Sequence, residues 1–302
     1  LLSDSFFHST TLFNISQKSS YFSPFKVINS NKNQLTGLRT GKFFSKRIIF
    51  YGFPTDDPKH LDELLKLADK NAKKYIYVEF RNLTDQSGLL DVLSRNNFKW
   101  LDWFNISLNT TEVNNVLDLI NDGKKRQIRK SVENEAEICL ASSLDDVHQF
   151  YKILSRLYKK KIYKPLPDWK FFEAFYNETK NTDHGRYILV KHKGKIVAGM
   201  MCPITPNQEM YEWYVAGLDQ EYKGTGIYPS VCVTWGALKY ACEHNIKRFN
   251  FMGAGQPEKH YGVRDFKLQF GGQLVNSGRY IKVNKPFLYW LGRKYFKIRM
   301  IF

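Results

Sequence analysis

The apolar and polar positions in the first third of the chain predict a hairpin, a strand, a helix and a further strand. Residues 25–38 carry two apolar segments around a polar turn, a pattern typical of a β-hairpin. Residues 47–53 and 75–80 are short apolar segments that predict strands. Asp57–Pro58 opens a helix between them. The apolar residues of that helix recur at i, i+3, i+4 and i+7: Leu61, Leu64, Leu65 and Ala68.

The same order of elements returns in the second half of the chain. Residues 186–201 predict a hairpin that turns at Lys193–Gly194, and residues 210–217 predict the strand that follows it. A helix begins near Pro229, and residues 248–253 predict the next strand. This helix is apolar on nearly every side, so we expect it to be buried against a sheet. The repeated order predicts two similar α/β domains in tandem.

A basic segment lies between the two halves. Gly123 is placed to end a helix built on residues 113–120, as a C-terminal capping glycine would. Five basic residues then fall within 124–130. These features predict three parts of the chain, namely an N-terminal domain over residues 1–122, a second domain over residues 123–284 and a basic amphipathic tail over residues 285–302.

Composition adds a preference for anionic partners. The chain has 302 residues with a formal net charge of +17, and 43% of its residues are hydrophobic, enough for a sizeable core. The four cysteines are widely spaced without a CxxC pair, which predicts a reducing, cytoplasmic location and no metal site. We expect no transmembrane helix, because the chain has no run of about 18 apolar residues. We expect no signal peptide, because no basic segment precedes an apolar block at the start.

A glycine-containing loop before the second-half helix is the first candidate site. Lys223, Gly224, Thr225 and Gly226 precede that helix, so free backbone N–H groups and the helix dipole favour a phosphate there. Gly-x-Gly alone is weak evidence, and an ordinary strand-to-helix turn remains the alternative. The loop lacks the Walker A pattern.

Two sequence stretches carry a family resemblance. The strand ending at Gly217, the glycine loop, the buried helix and the strand ending at Gly253 resemble the core of a GNAT-fold N-acyltransferase. The segment 262–272, "GVRDFKLQFGG", together with 125–131, "KRQIRKS", resembles the Fem-type peptidoglycan bridge aminoacyltransferases and their acetyltransferase-like relatives. The resemblance implies an α/β (α+β) fold of tandem GNAT-like domains with mixed, mostly antiparallel sheets. It also implies that the donor lies between two splayed strands, with its diphosphate at the helix N-terminus.

The Fem-type resemblance assigns roles to a phenylalanine–lysine pair. By motif match, Phe266 and Lys267 lie at the catalytic centre, where the lysine positions the acceptor and stabilises developing negative charge. A preorganised cation lowers the barrier to acyl transfer by several kcal/mol. The alternative is a lysine on a strand that points to solvent.

The acyl donor and the acceptor are left open by the sequence. The acetyl-CoA signature [RQ]xxGxG would place Arg or Gln where Glu221 stands, which disfavours acetyl-CoA, whereas Fem-type members use aminoacyl-tRNA.

For a base we consider Glu212 and Asp265, although Asp265 could simply pair with Arg264 or Lys267. Further residues are candidates for binding substrate: Tyr261 and Arg264 beside the cleft, and Arg126 and Arg129, whose spacing of three suits a diphosphate clamp or an ordinary solvated linker.

The C-terminal segment combines cations with aromatic residues. Residues 279–302 hold seven basic residues and no acidic one, with aromatic residues at near-helical spacing. Such a helix could lie in a membrane interface or pack on its own domain.

The combined hypothesis is an N-acyltransferase that transfers an aminoacyl or acyl group to an amine of a cell-envelope precursor, nucleotide- or lipid-linked, by direct attack. The alternatives are an acetyl-CoA-dependent amino-sugar N-acetyltransferase for surface polysaccharide and a non-enzymatic RNA- or membrane-binding protein.

Overall fold

A computed structural model describes residues 5–84, 87–111 and 115–299. The strands are β1 (Ser23–Ile28), β2 (Gln34–Thr40), β3 (Arg47–Tyr51), β4 (Tyr77–Arg81), β5 (Lys99–Leu101), β6 (Asn105–Asn109), β7 (Glu137–Leu140), β8 (Gly185–His192), β9 (Lys195–Thr205), β10 (Glu209–Tyr211), β11 (Tyr214–Gly217), β12 (Arg248–Gly253), β13 (Gln273–Val275) and β14 (Arg279–Val283). The α-helices are α1 (Thr10–Lys18), α2 (Pro58–Ala72), α3 (Leu90–Arg95), α4 (Asp122–Glu133), α5 (Leu144–Leu157), α6 (Trp169–Thr179), α7 (Pro229–Glu243), α8 (Gly262–Leu268) and α9 (Pro286–Arg299).

The chain divides into two compact units. Unit 1 comprises Leu1–Trp103 and Asn276–Phe302, and unit 2 comprises Phe104–Val275. Unit 1 is built on a sheet of order β1-β2-β3-β4-β14-β5, in which β3 and β4 are parallel and the other neighbours are antiparallel. The predicted hairpin is present as β1 and β2, and α2 connects the two parallel strands. Asp57 begins α2, since its carboxylate accepts the N–H groups of Lys59 and His60.

The C-terminal segment belongs to unit 1 rather than forming a separate tail. Strand β14 lies between β4 and β5 and pairs with both. The amine of Lys282 on this strand is 2.6 Å from the carboxylate of Asp69 on α2. The units therefore differ from the predicted division at residues 122 and 284, because a strand from the end of the sequence completes the first sheet.

Unit 2 contains the second copy of the predicted element order. Its sheet runs β13-β6-β12-β10-β9-β8-β7, with β11 paired to β9, and only β10 and β12 are parallel among its described strand pairs. Helix α7 is buried on this sheet, as the sequence predicts. A Cβ on Gly236 would stand 2.6 Å from a methyl carbon of Ile138, so the glycine permits close packing of α7 on the sheet. The order hairpin, strand, helix, strand thus occurs twice, and the fold is mixed α/β with helices flanking two sheets.

The predicted helix ending at Gly123 is wrong. Val116–Leu119 forms only a short 3₁₀ turn, and residue 113 lies outside the described residues. Gly123 instead lies in the first turn of α4, because the side-chain oxygen of Asn121 accepts the Gly123 N–H at 2.8 Å and begins a new helix. The basic run therefore lies on a helix rather than in a linker. Within the described ranges, no helix is both long and apolar enough to cross a membrane.

Candidate functional site

Two parallel strands of unit 2 separate after a short paired region. Strands β10 and β12 pair from Glu209 to Tyr211, and the last bond between them runs from the Glu212 N–H to the Asn250 carbonyl at 2.9 Å. Strand β11 then continues the chain but pairs with β9. The predicted strand over residues 210–217 is therefore broken at 212–213. We call the gap between β11 and the end of β12 the splayed cleft.

A β-bulge shapes the β12 side of this cleft. The pairing of β12 with β6 shifts register between Asn250 and Gly253. Met252 within the bulge has a φ of +60°, which is uncommon for a residue with a long side chain. The side-chain oxygen of Asn250 accepts the Met252 N–H at 2.8 Å and stabilises this conformation. Bulges commonly redirect backbone groups beside active sites.

Lys267 lies at the point where the strands separate. It projects from α8, its residue is 6% exposed, and its Nζ is 3.0 Å from Oε1 of Glu212. The same ammonium donates to the carbonyls of Phe251 and, at 3.4 Å, Gly253. An ammonium has three N–H donors, so each has an acceptor here. The burial excludes the alternative of a solvent-exposed strand lysine.

The carboxyl group of Glu212 is equally buried. Burial raises its pKa above the ordinary value for glutamate, and the positive charge of Lys267 only partly opposes this effect. Burial also raises the pKa of the nearby Tyr261 hydroxyl, and the charge of Glu212 adds to that shift. Lys267, Glu212 and Tyr261, which the sequence proposed separately, therefore lie together at the splayed cleft.

Lys124 is a candidate that sequence reasoning missed. Its Nζ lies 4.7 Å from the ring centroid of Phe266 and 3.1 Å from the side-chain oxygen of Gln127. Burial lowers the pKa of this lysine, while the nearby charge of Asp219 acts in the opposite direction. The signal that could have found it is Asn121, which caps the N-terminus of α4. A helix predicted to begin there has Lys124 and Gln127 on one face.

The other acidic and basic residues of the motif have different partners. Asp265 is 3.2 Å from the imidazole of His260 and lies at the surface, so neither of its two proposed partners, Arg264 and Lys267, is the partner found. Arg264 donates to the carbonyls of Gln256 at 3.1 Å and Lys259 at 2.6 Å. Its contacts fix the loop before α8.

Arg126 and Arg129 are exposed on α4. They lie on the side of the helix away from the buried Ile128 and Ser131, so the described contacts do not bring them to the splayed cleft. No group of three His, Cys, Asp or Glu in the described part of the chain is arranged to hold a metal ion.

The N-terminus of α7 was the predicted site for a donor diphosphate, and two of the backbone N–H groups there already have side-chain acceptors. The Ser230 N–H donates to Asp219 at 3.0 Å, and the Ser230 hydroxyl donates to the other oxygen of the same carboxylate. The Tyr228 N–H donates to the hydroxyl of Ser131 at 3.0 Å. Pro229, between them, has no N–H. A diphosphate at this terminus would therefore lie close to the carboxylate of Asp219.

The loop before α7 uses its own amides as well. The N–H groups of Glu221 and Tyr222 bond to the carbonyl of Leu218, and that of Thr225 bonds to the carbonyl of Tyr222. Lys223, Gly224 and Thr225 are exposed, and the two glycines have positive φ that closes these turns. The assignment of Lys223, Gly224, Thr225 and Gly226 to a donor diphosphate remains a prediction.

Comparisons with known proteins show which family and which folds the chain resembles. Residues 123–261 match the family described as "Acetyltransferase (GNAT) domain". No curated protein sequence is significantly similar to the chain. The chain is similar in structure to the protein titled "Crystal structure of FemX", with a TM-score of 0.71, 13% identity, and coverage of 94% of this chain and 93% of that one.

Two further solved structures share the fold at low identity. One, described as L-PGS from Bacillus licheniformis, has a TM-score of 0.62 and 13% identity, covering 89% of this chain and 88% of that one. The other is a tandem GNAT protein from the clavulanic acid biosynthesis pathway, with a TM-score of 0.56 and 7% identity, covering 91% and 88%. Residues 123–261 therefore match the acetyltransferase (GNAT) domain family, and the chain shares its fold with the tandem GNAT and FemX structures.

Proposed function

We propose that the protein is an N-acyltransferase that transfers an aminoacyl group to an amine of a cell-envelope precursor. The observation that carries this proposal is the buried pair of Lys267 and Glu212 at the point where β10 and β12 separate. Ionisable groups that are buried and paired with each other in a cleft are typical of catalytic sites. The fold likeness to FemX supports a precursor of the cell envelope as the acceptor.

The donor that suits this chain best is an aminoacyl ester on tRNA. Asp219 occupies the α7 N-terminus, which disfavours a coenzyme A diphosphate. A net charge of +17 favours a polyanionic donor. All four cysteines are free thiols, in keeping with a cytoplasmic protein that has access to charged tRNA. The second candidate is an acetyl-CoA-dependent N-acetyltransferase, favoured by the family to which residues 123–261 match.

The proposed reaction is a direct attack within a ternary complex. The acceptor nitrogen forms a bond to the ester carbonyl carbon, and the carbonyl oxygen becomes negatively charged. Lys267 retains Glu212 and Phe251 as partners and exchanges its long contact with the Gly253 carbonyl, at 3.4 Å, for this oxygen. The carbon–oxygen bond to the tRNA then breaks. The proton lost by the nitrogen passes through the second oxygen of Glu212 to the leaving hydroxyl.

The donor is tested by supplying the purified protein with radiolabelled aminoacyl-tRNA or labelled acetyl-CoA, each with nucleotide- and lipid-linked peptidoglycan precursors. We expect label to reach the precursor from charged tRNA only. Transfer from acetyl-CoA alone would overturn the proposed donor in favour of the second candidate. Absence of transfer from both, with retained RNA or membrane binding, would support a non-enzymatic binder.

The role of Lys267 is tested by the Lys267→Met variant. Loss of one preorganised donor to an oxyanion should lower kcat about 100- to 1,000-fold. Lys259→Met, a change at an exposed lysine in the preceding loop, is the matched control and should retain activity. Lys267→Met leaves the Glu212 carboxylate buried without its cation, so circular dichroism checks that this variant is folded. The double variant Lys267→Met, Glu212→Gln, which removes the uncompensated charge, is measured in the same way. An active Lys267→Met enzyme would contradict the mechanism.

A further inference from the structure

Two elements of unit 1 that are distant in sequence form one surface. The short 3₁₀ helix Phe43–Ser45 lies against α9, and a Cβ on Gly292 would stand 2.6 Å from the carbonyl oxygen of Phe44. Glycine at this position therefore permits direct backbone contact between the two elements. Tyr289 of α9 packs edge-on against Tyr77 of β4, with ring centroids 5.2 Å apart. Tyr289 and Gly292 are three residues apart, so the same face of α9 contacts the sheet and the short helix.

The outward side of these elements exposes large aromatic side chains. Phe43 is 83% exposed and Phe287 is 69% exposed, values unusual for such apolar residues. The Phe287 and Trp290 rings stack with centroids 6.2 Å apart, so they form a continuous patch. The exposed aromatic residues of this surface are Phe43, Phe44, Phe287, Trp290 and Tyr295. Contiguous apolar patches on a protein surface usually mark an interaction site.

The turn that carries Phe43 is fixed before any partner binds. The hydroxyl of Ser45 accepts the Lys42 N–H at 3.1 Å and donates to the Lys42 carbonyl at 2.8 Å. Phe43 has a φ of +46°, a conformation that bulky residues rarely adopt. The closed turn therefore presents the phenylalanine outward in a strained backbone conformation.

Cations surround the aromatic patch. Lys42 and Lys46 flank the short helix and are exposed, as are Arg293 and Lys294 on α9. The Nζ of Lys294 lies 4.0 Å from the centroid of the Trp290 ring. Neither residues 41–47 nor residues 279–302 contain an acidic residue. We call these aromatic residues and cations together the aromatic–basic surface.

We infer that the aromatic–basic surface docks on an anionic phospholipid leaflet, with α9 lying in the membrane plane. Aromatic side chains prefer the interface between water and hydrocarbon, and Lys and Arg are attracted to anionic headgroups. Helix α9 has 14 residues and so spans about 21 Å, too short to cross the hydrocarbon core but suited to lie along it. The inference does not depend on the proposed acyl transfer.

The inference is tested by vesicle flotation of the full-length protein. We expect binding to vesicles of phosphatidylcholine mixed with phosphatidylglycerol, weak binding to phosphatidylcholine alone, and release by salt. The triple variant Phe43→Ser, Phe287→Ser, Trp290→Ser should lower the partition coefficient about tenfold or more. The matched control replaces three other exposed apolar residues, Val132, Leu140 and Tyr163, with serine and should bind like the wild type.

Two further measurements separate a membrane from other partners. Acyl chains carrying bromine should quench tryptophan fluorescence in the wild type, and Trp290→Phe, which keeps an aromatic ring, should lose most of that quenching. Sedimentation without vesicles should show the same mass for the wild type and the triple variant. Absence of binding to anionic vesicles, equal binding by the triple variant, or dissociation of an oligomer in that variant would each overturn the inference.

Discussion

A buried ionisable side chain either has a partner of opposite charge or is neutral. Lys267 is an example of the first case and His8 of the second. The Nζ of Lys267 is 3.0 Å from the Glu212 carboxylate, a partner of opposite charge. His8 is 1% exposed, and its Nδ1 accepts the Thr36 N–H at 3.4 Å, so the ring is held neutral. Burial lowers the pKa of His8 from 6.5 to about 4, although nearby backbone groups act in the opposite direction.

The pKa of His8 predicts a pH dependence of stability. The unfolded chain binds a proton at His8 below about pH 6.5, whereas the folded chain binds it only near the lowered value. The free energy of unfolding should therefore fall as pH decreases from 6.5 to about 4, by up to roughly 3 kcal/mol from this residue. Urea unfolding at several pH values measures this effect. His8→Gln should flatten the profile, and an unchanged slope in that variant would refute the assignment.

At the scale of elements, β14 connects the end of the sequence to the first sheet through a buried ion pair. Nη1 of Arg279 on β14 is 2.5 Å from Oε1 of Glu79 on β4, and its guanidinium stacks 3.5 Å from the ring centroid of Trp103. Burial alone would raise the pKa of Glu79, but the neighbouring arginines outweigh it and lower that pKa to about 2. The position of β14 therefore depends on charge pairing as well as on backbone bonds.

Removing the guanidinium of Arg279 should destabilise unit 1. Arg279→Leu leaves Glu79 buried with fewer cations, and breaking a buried pair costs about 3–5 kcal/mol of unfolding free energy. Arg95→Leu removes an exposed arginine of the same unit and should cost less than about 0.5 kcal/mol. Chemical denaturation compares these variants. Adding Glu79→Gln to Arg279→Leu should restore part of the loss, and a fully stable Arg279→Leu protein would contradict the pairing argument.

At the scale of the whole molecule, the surplus of positive charge matters more for partners than for the fold. The basic residues lie mainly at the surface, including the exposed Arg126 and Arg129 on α4. Such a distribution attracts polyanions over distances set by ionic strength.

The net charge of +17 predicts strongly salt-dependent binding of the proposed tRNA donor. The affinity should fall at least about tenfold between about 50 and 200 mM salt, because each neutralised phosphate releases counterions. Filter binding with charged tRNA over a salt series measures the slope. Substituting Gln for both Arg126 and Arg129 should reduce the slope, because fewer phosphates are then neutralised. An affinity for charged tRNA that does not change with salt would show that phosphate contacts are not the main source of binding.

The order of elements was determined by the sequence alone. Both hairpins, α2 and α7 follow from local periodicity, because a side chain's face on a helix or strand is set by its neighbours in sequence. The Phe266–Lys267 pair was identified instead by the resemblance of residues 262–272 to the Fem-type motif. The error at Gly123 arose where a local capping signal at Asn121 competed with a glycine two residues later.

The surroundings of the site were decided only by the tertiary structure. The pairing of Lys267 with Glu212, the position of Lys124 over Phe266 and the carboxylate of Asp219 at the α7 N-terminus each join residues distant in sequence. The insertion of β14 into the first sheet does so as well. Such contacts depend on which elements pack together and which charges are then excluded from water. Local periodicity specifies which face of an element is apolar, but not which other element covers it.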